Sequence, residues 1–131
     1  MQQTILVTGS RAWQDPKVLG RALVGQVRRY PGPSFLVVGD ADGADALALV
    51  TWLNRSNPHR GRYRKIEADW VNMGAAAGPY RNQQLVDYAA AQPGEKICLS
   101  FLVPSLPCRG TRNCMSKARY AGIPVKEHVQ P

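Results

Sequence analysis

The 131-residue sequence has few of the residues that cross-link small proteins or hold metal ions. Its three cysteines, Cys98, Cys108 and Cys114, form no CxxC pair, and only two histidines are present. An odd number of cysteines without paired spacing argues against a disulfide framework, and the same composition argues against a structural zinc site. We therefore expect reduced thiols, no metal site and no cofactor.

Long hydrophobic runs are also missing. No apolar stretch approaches the roughly 20 residues that cross a bilayer, and the N-terminal segment MQQTILVTGSR has neither the charged start nor the apolar core of a signal peptide. We therefore expect a cytoplasmic protein without a membrane partner. A chain of this length can bury a core of its own, and we expect one domain, residues 1–131.

Acidic residues are scarce relative to basic ones. Seventeen Lys and Arg residues against nine Asp and Glu residues give a formal net charge of +8. Such an excess favours anionic partners: nucleic acid, nucleotides or phosphorylated metabolites.

Short apolar runs alternate with helix-prone segments along the whole chain. The predicted strands are 4–8, 35–39, 63–68, 96–103 and 123–129, and the predicted helices are 16–30, 44–54, 79–91 and 111–121. Asp15 and Pro16 are typical of a helix start, and Gly122 of a helix end. The alternation predicts a Rossmann-like, doubly wound α/β domain, with a mainly parallel sheet of about five strands and helices on both faces.

A glycine-containing or polar segment follows each of the first four predicted strands. These segments are TGSRAWQD, GDADGAD, ADWVNMGAAAGPYRN and VPSLPCRGTRN. The carboxyl ends of parallel strands meet at one edge of the sheet, where doubly wound folds bind their ligands. Glycines let backbone N–H groups approach an anion, and helix N-termini add partial positive charge. We therefore predict a ligand site at this edge.

Four segments in order, VTGSRAWQD, VVGDADGADALA, ADWVNMGAAAGPYRN and RGTRNCMSKARYAGIPV, resemble the successive motifs of the SLOG superfamily, specifically its YspA-like branch of bacteria and phages. The resemblance covers nearly the whole chain and implies a Rossmann-like fold with a pocket for a nucleotide-derived ligand. Members of the superfamily include the Lonely Guy phosphoribohydrolases, the DNA-processing protein DprA and sensor domains for nucleotide signals. The resemblance also implies a homo-oligomer that pairs through helices.

These motifs supply the candidate ligand-binding residues, which are Gly9, Ser10, Arg11, Gly39, Asp40, Gly43, Gly78, Arg81, Asn82, Gly110, Thr111 and Asn113. Arg11 and Arg81 are the phosphate candidates, because a guanidinium group makes planar, bidentate contacts with phosphate oxygens. Asp40 is the candidate for accepting hydrogen bonds from ribose hydroxyls. Asp45 is expected to cap the helix that follows it.

Aromatic and amide side chains of the same segments have two interpretations. Trp13 and Trp70 either stack on a base or pack against the protein. Asn82 and Asn113 either orient the ligand or cap helices. The sequence leaves both pairs of interpretations open.

One departure from the resembling enzymes bears on catalysis. The phosphoribohydrolases carry PGGxGTxxE, and in the corresponding PCRGTRNC segment Cys114 occupies the position of the catalytic glutamate. A thiol does not replace a carboxylate in this chemistry. Asp40 is a weak substitute candidate, and Asp69 is another. We therefore expect a nucleotide sensor or sequestering module, with a phosphoribohydrolase-like N-glycosidase as the alternative.

A basic segment supports a further alternative. The stretch RSNPHRGRYRK contains Arg55, Arg60, Arg62, Arg64 and Lys65 together with an aromatic residue. This segment either forms a solvated loop or follows a phosphate backbone while a base stacks on the aromatic ring. The second possibility predicts a single-stranded DNA-binding protein related to DprA.

Overall fold

The computed structural model describes residues 1–130, which form one five-stranded sheet with helices on both of its faces. The strands are β1 (Gln3–Gly9), β2 (Ser34–Gly39), β3 (Tyr63–Ile66), β4 (Glu95–Leu102) and β5 (Val125–Val129). The helices are α1 (Pro16–Arg29), α2 (Ala44–Trp52), α3 (Trp70–Met73), α4 (Ala77–Ala91) and α5 (Arg109–Tyr120), and a 3-10 turn (Gly74–Ala76) joins α3 to α4. All neighbouring strands are parallel, in the order β3-β2-β1-β4-β5, which confirms the predicted doubly wound α/β fold.

Each face of the sheet has its own hydrophobic core. On one face Ile5 and Val7 belong to a buried cluster that includes Leu19 of α1 and Ala48 of α2. On the other face the buried cluster contains Leu6 of β1 and residues from α4 and α5, namely Leu85, Val86, Ala89, Cys114 and Ala118. Successive side chains of a strand point to opposite faces, so apolar residues at consecutive positions fill both cores.

Local sequence signals set several of these boundaries. The Asp15 carboxylate accepts hydrogen bonds from the backbone N–H groups of Lys17 and Val18, and Pro16 is the first residue of α1. Gly122 follows α5 with a φ of 81°, a conformation that favours glycine. The predicted caps at both positions are confirmed.

Other boundaries differ from the prediction. The strand predicted to run over 63–68 ends at Ile66, and the last strand begins at Val125 rather than at 123. The helix predicted from 79 begins at Ala77, so Arg81 is its fifth residue and does not lie in its first turn. No helix was predicted between the third strand and α4, but the region contains α3, which Asp69 caps by accepting a hydrogen bond from the Asn72 N–H.

The order of the strands places a topological switch point beside β1. The strand pairs with β2 on one side and with β4 on the other, so the chain winds outward in both directions from it. Beyond the last paired residues, the Ser10 N–H donates to the Phe101 carbonyl at 2.8 Å. The crevice at the carboxyl ends of β1 and β4 is therefore where this fold class holds ligands. Within residues 1–130, no helix combines the length and the apolar character needed to cross a membrane.

Candidate functional site

A pocket of about 690 Å³ opens at the carboxyl edge of the sheet, at the switch point. Four segments line it: residues 8–12 at the end of β1 and directly after it, Ala41 and Asp45 around the start of α2, Trp70 with parts of α4, and residues 106–111 and 113 around the start of α5. Nine of the twelve predicted ligand-binding residues line this pocket, namely Gly9, Ser10, Arg11, Gly78, Arg81, Asn82, Gly110, Thr111 and Asn113. The fold therefore brings three distant motifs to one cavity.

The N-terminus of α5 presents unpaired hydrogen-bond donors to the pocket. No side chain caps this helix, and the backbone N–H groups of Arg109, Gly110 and Thr111 find no acceptor among residues 1–130. The Thr111 side chain is buried, and its hydroxyl makes no hydrogen bond with any described residue. These groups carry the partial positive charge of a helix N-terminus, which favours an anion.

The residue that precedes α5 has an unusual backbone conformation. Cys108 lies in the left-handed region, with φ 51° and ψ 43°, and no other non-glycine residue in the described chain has a positive φ. Its thiol donates to the Val103 carbonyl at 3.4 Å. Left-handed backbone at a non-glycine residue is destabilising and is concentrated at functional sites. Here it turns the chain so that α5 begins at the pocket wall.

Two exposed arginines stand at the pocket mouth. The Arg11 guanidinium lies 5.5 Å from the centre of the Trp70 ring, in a cation–π contact. Arg109 lies exposed at the first position of α5. Trp70 is 45% exposed, so its ring is accessible within the pocket. Trp13, the second tryptophan predicted to stack on a base, is buried against Phe101. It therefore packs in the core and is not available to a base.

Arg81 has a different environment from the one that the sequence predicts. The motif places it at the pocket surface, but the residue is only 7% exposed. Its Nη1 pairs with the Asp40 carboxylate, and its Nε donates to Asn82 Oδ1 at 3.1 Å. The guanidinium therefore lines the pocket while already holding two partners of its own.

Three predicted residues, Gly39, Asp40 and Gly43, do not line the pocket but lie against residues that do. Asp40 holds Arg81 and also accepts a hydrogen bond from the Ala68 N–H. A Cβ atom at Gly39 would overlap the side chains of Arg81 and Asp45, so only glycine leaves them room. Gly43 has a φ of 73° and packs against the backbone of the loop after β1.

Asp45 does not cap α2 as expected. The N-cap residue is Gly43, and the Asp45 carboxylate instead reaches back to accept a hydrogen bond from the Ala41 N–H at 3.2 Å. The side chain is 5% exposed and lines the pocket. Burial raises the pKa of Asp45 to about 7, against the opposing attraction of the nearby Arg81. No local pattern indicates this burial, because the other lining residues come from distant segments of the chain.

The remaining polar candidates join the helices that form the pocket wall. Asn82 donates from Nδ2 to the Gly110 carbonyl and to Asn113 Oδ1, which links α4 to α5. Cys114, at the position of the resembling enzymes' glutamate, is fully buried in the second core and lies outside the lining. Burial raises the pKa of its thiol to about 11, so it stays a neutral thiol at physiological pH.

The basic segment lies away from the pocket. Residues 53–62 lead into the amino end of β3, whereas the pocket lies at the carboxyl ends of the strands. Arg55, Arg60, Arg62, Arg64 and Lys65 are all exposed. Three of the arginines have uncharged partners: Arg64 lies over the Tyr88 ring at 5.5 Å, Arg60 donates to the Arg55 carbonyl, and Arg62 donates to Gln2 Oε1. The structure therefore separates the two groups of candidate residues.

Fold and site together define a parallel α/β protein with a cationic pocket at its topological switch point. The chain is 37% identical to the gene 61 protein of Mycobacterium phage D29 over 122 residues, which span 92% of each chain. It therefore belongs to the same family as that phage protein. No family model and no solved structure matches the chain. The name of the phage protein specifies no ligand or reaction, so the function rests on the geometry of the site.

Proposed function

We propose that the protein binds a nucleotide-derived or phosphoribosyl ligand in the switch-point pocket, as a sensor or sequestering module. One observation carries the proposal: the unpaired N–H groups at the start of α5 and the exposed Arg11 and Arg109 meet in a single cavity. A phosphate group satisfies such donors, and the exposed face of Trp70 suits a base.

Gly110 gives this interpretation a second line of support. A Cβ atom there would meet nothing within 4 Å, and the residue has no positive φ. Neither packing nor backbone conformation therefore requires glycine at this position, unlike at Gly39 or Gly43. A ligand that approaches the helix backbone closely would require it.

Gly110 also offers the sharpest test of the proposal. Mass spectrometry of small molecules released by denaturing protein purified from cells would first identify the ligand, and calorimetry would then measure its affinity. Gly110→Leu should weaken binding by at least about tenfold, because the side chain fills the space before the α5 N–H groups. Its stability should be unchanged or slightly higher, since glycine is a poor helix former.

Gly20→Leu is the matched control. Gly20 also lies in a helix, its Cβ would also meet nothing within 4 Å, and it is remote from the pocket lining. This variant should bind the ligand as the wild type does. Equal affinities of wild type and Gly110→Leu would remove the start of α5 from the site. Failure to recover or titrate any phosphorylated ligand would overturn the proposed function.

The hydrolase alternative receives less support from the same pocket. Cys114 is buried as a neutral thiol, and Asp45 is the single acidic side chain among the described lining residues. We therefore expect no release of free base from nucleoside monophosphates at an enzyme-like rate. Chromatography that detected several equivalents of free base per protein chain, with loss of activity in Asp45→Asn, would replace the binding function by a hydrolase.

The setting of this function is also a proposal. The phage relative supports a role in bacterial cytoplasm, where nucleotides are abundant. Self-association through helices stays a prediction, to be checked by sedimentation equilibrium.

A further inference from the structure

The pocket contains one acidic side chain whose purpose is not explained by anion binding. Asp45 is buried among lining residues whose other charged members are arginines. One carboxylate oxygen accepts from the Ala41 N–H, and the other has no hydrogen-bond partner among residues 1–130. That oxygen is not among the buried unpaired atoms of the described chain, so it is open to the pocket and to a hydrogen-bond donor that enters it.

No residue in the described part of the chain provides that donor. Arg81 lies beside Asp45 at Gly39, but its ion pair is with Asp40, and no salt bridge joins Asp45 to any described cation. A Cβ at Gly39 would touch both side chains, so the absence of a side chain there is what keeps Asp45 in place beside Arg81. The free oxygen is therefore held ready for a hydrogen-bond donor from the ligand.

The position of Asp45 in the pocket indicates which part of the ligand lies near it. Asp45 lines the same pocket as the first residues of α5, which are Arg109, Gly110 and Thr111. A phosphate held at the start of α5 would extend its directly attached group into the cavity that Asp45 lines. In a nucleotide that group is the sugar, and its hydroxyls are donors that a carboxylate accepts.

We propose that Asp45 recognises the sugar hydroxyls of the ligand and makes the pocket selective for ribo over deoxyribo compounds. This inference rests on the proposed function and gives the role predicted for Asp40 to Asp45, because Asp40 is engaged with Arg81 and the Ala68 N–H outside the lining. A site that pairs a hydroxyl rejects the analogue without it, since the bound analogue covers the carboxylate oxygen and supplies no donor to it.

The test compares four ribonucleoside 5′-monophosphates, AMP, GMP, CMP and UMP, with their 2′-deoxy and 3′-deoxy counterparts by calorimetry. Titration at pH 8 keeps the Asp45 carboxyl mostly ionised, because its pKa is about 7. The ribo compound should bind about tenfold or more tightly than at least one deoxy counterpart, as expected for a charged hydrogen bond. Asp45→Asn should reduce that ratio to about threefold or less, since the uncharged amide is a weaker acceptor.

Asp42→Asn is the matched control, because it removes the same charge from an exposed position in the loop that precedes α2. It should keep the wild-type ratio. Equal binding of ribo and deoxy compounds by the wild type would overturn the inference and leave the proposed function standing, and this result does not depend on any variant folding. A ratio that Asp45→Asn leaves unchanged would also overturn it. No binding of any of the four ribonucleotides would instead count against both proposals.

Discussion

Arg81 was predicted from its motif to bind phosphate, but it forms a buried ion pair that should also stabilise the fold. The Arg81 side chain is 9% exposed and forms an ion pair with the Asp40 side chain, which is 23% exposed. Removing one member of a buried ion pair leaves the other charge without compensation, which destabilises proteins by roughly 3–5 kcal/mol. Solvent reaches Asp40 in part, so we expect Arg81→Ala to lower the free energy of unfolding by about 3 kcal/mol.

Urea unfolding of Arg81→Ala and Arg11→Ala would check this prediction. Arg11 is also a pocket arginine, but it is exposed, and its guanidinium lies over the Trp70 ring and forms no salt bridge with any described residue. Its substitution should change stability by no more than about 0.5 kcal/mol. Equal, small effects of both substitutions would mean that the Arg81 pair contributes little to folding.

The raised pKa of Asp45 predicts how the free energy of unfolding depends on pH. Its pKa rises from 3.8 to about 7 on folding, so between these values the folded chain holds a proton that the unfolded chain has released. This one group should therefore lower the free energy of unfolding by about 4 kcal/mol as the pH rises from about 4 to 7. Above pH 7 its contribution should stay level. Asp45→Asn lacks the titration. It should match wild type near pH 4 and be more stable at pH 8.

Denaturant unfolding of both proteins between pH 4 and pH 8 measures the effect. The difference between the two curves matters, because other carboxyl groups titrate in both proteins alike. Parallel curves would show that Asp45 is ionised in the folded protein throughout this range.

At the scale of secondary structure, the sequence predicts what depends on local signals. All five strands and four of the five helices were predicted, because buried apolar runs and residues such as Asp15 and Gly122 mark them. The missing helix, α3, buries none of its residues, so it has no hydrophobic periodicity to detect. The burial of Asp45 and Arg81 was missed because it depends on the approach of α2 and α4 around Gly39.

The turn into α5 carries a prediction of its own. Cys108 has a left-handed backbone, which costs a residue with a Cβ about 1–2 kcal/mol. Glycine is ordinarily less stable than alanine by roughly 0.5–1 kcal/mol in regular structure. At this position the order should reverse, with Cys108→Gly more stable than Cys108→Ala by about 1 kcal/mol.

Thermal unfolding of the two variants checks the order. Ser105, in the same loop, is exposed and has no positive φ, so the glycine variant there should be no more stable than the alanine variant. The same order at both positions would mean that the turn relaxes when the cysteine is replaced.

At the scale of the whole molecule, the positive charge is divided between two ends of the sheet. Arginines line the pocket at the carboxyl edge, and the basic segment approaches β3 at the amino edge. Of the five cations in that segment, only Lys65 lies near a carboxylate of the described chain, 3.8 Å from Glu67. Because the two regions are separate, nucleic acid at one edge would leave the pocket free.

Single-stranded DNA binding by the basic segment is the prediction at this scale. Anisotropy of a labelled oligothymidylate at several salt concentrations should give a logarithmic slope of about −0.7 for each phosphate neutralised. Substituting both Arg60 and Arg62 by glutamine should reduce that slope by about 1.4 if both contact phosphates. The control variant replaces Lys17 and Lys126 by glutamine, and both lysines are exposed outside the basic segment. The two double variants therefore have the same net charge. If both double variants lose affinity equally, the net charge of the whole molecule attracts DNA and the segment is an ordinary solvated loop. If only the first loses affinity and slope, the amino edge of the sheet is a nucleic-acid surface.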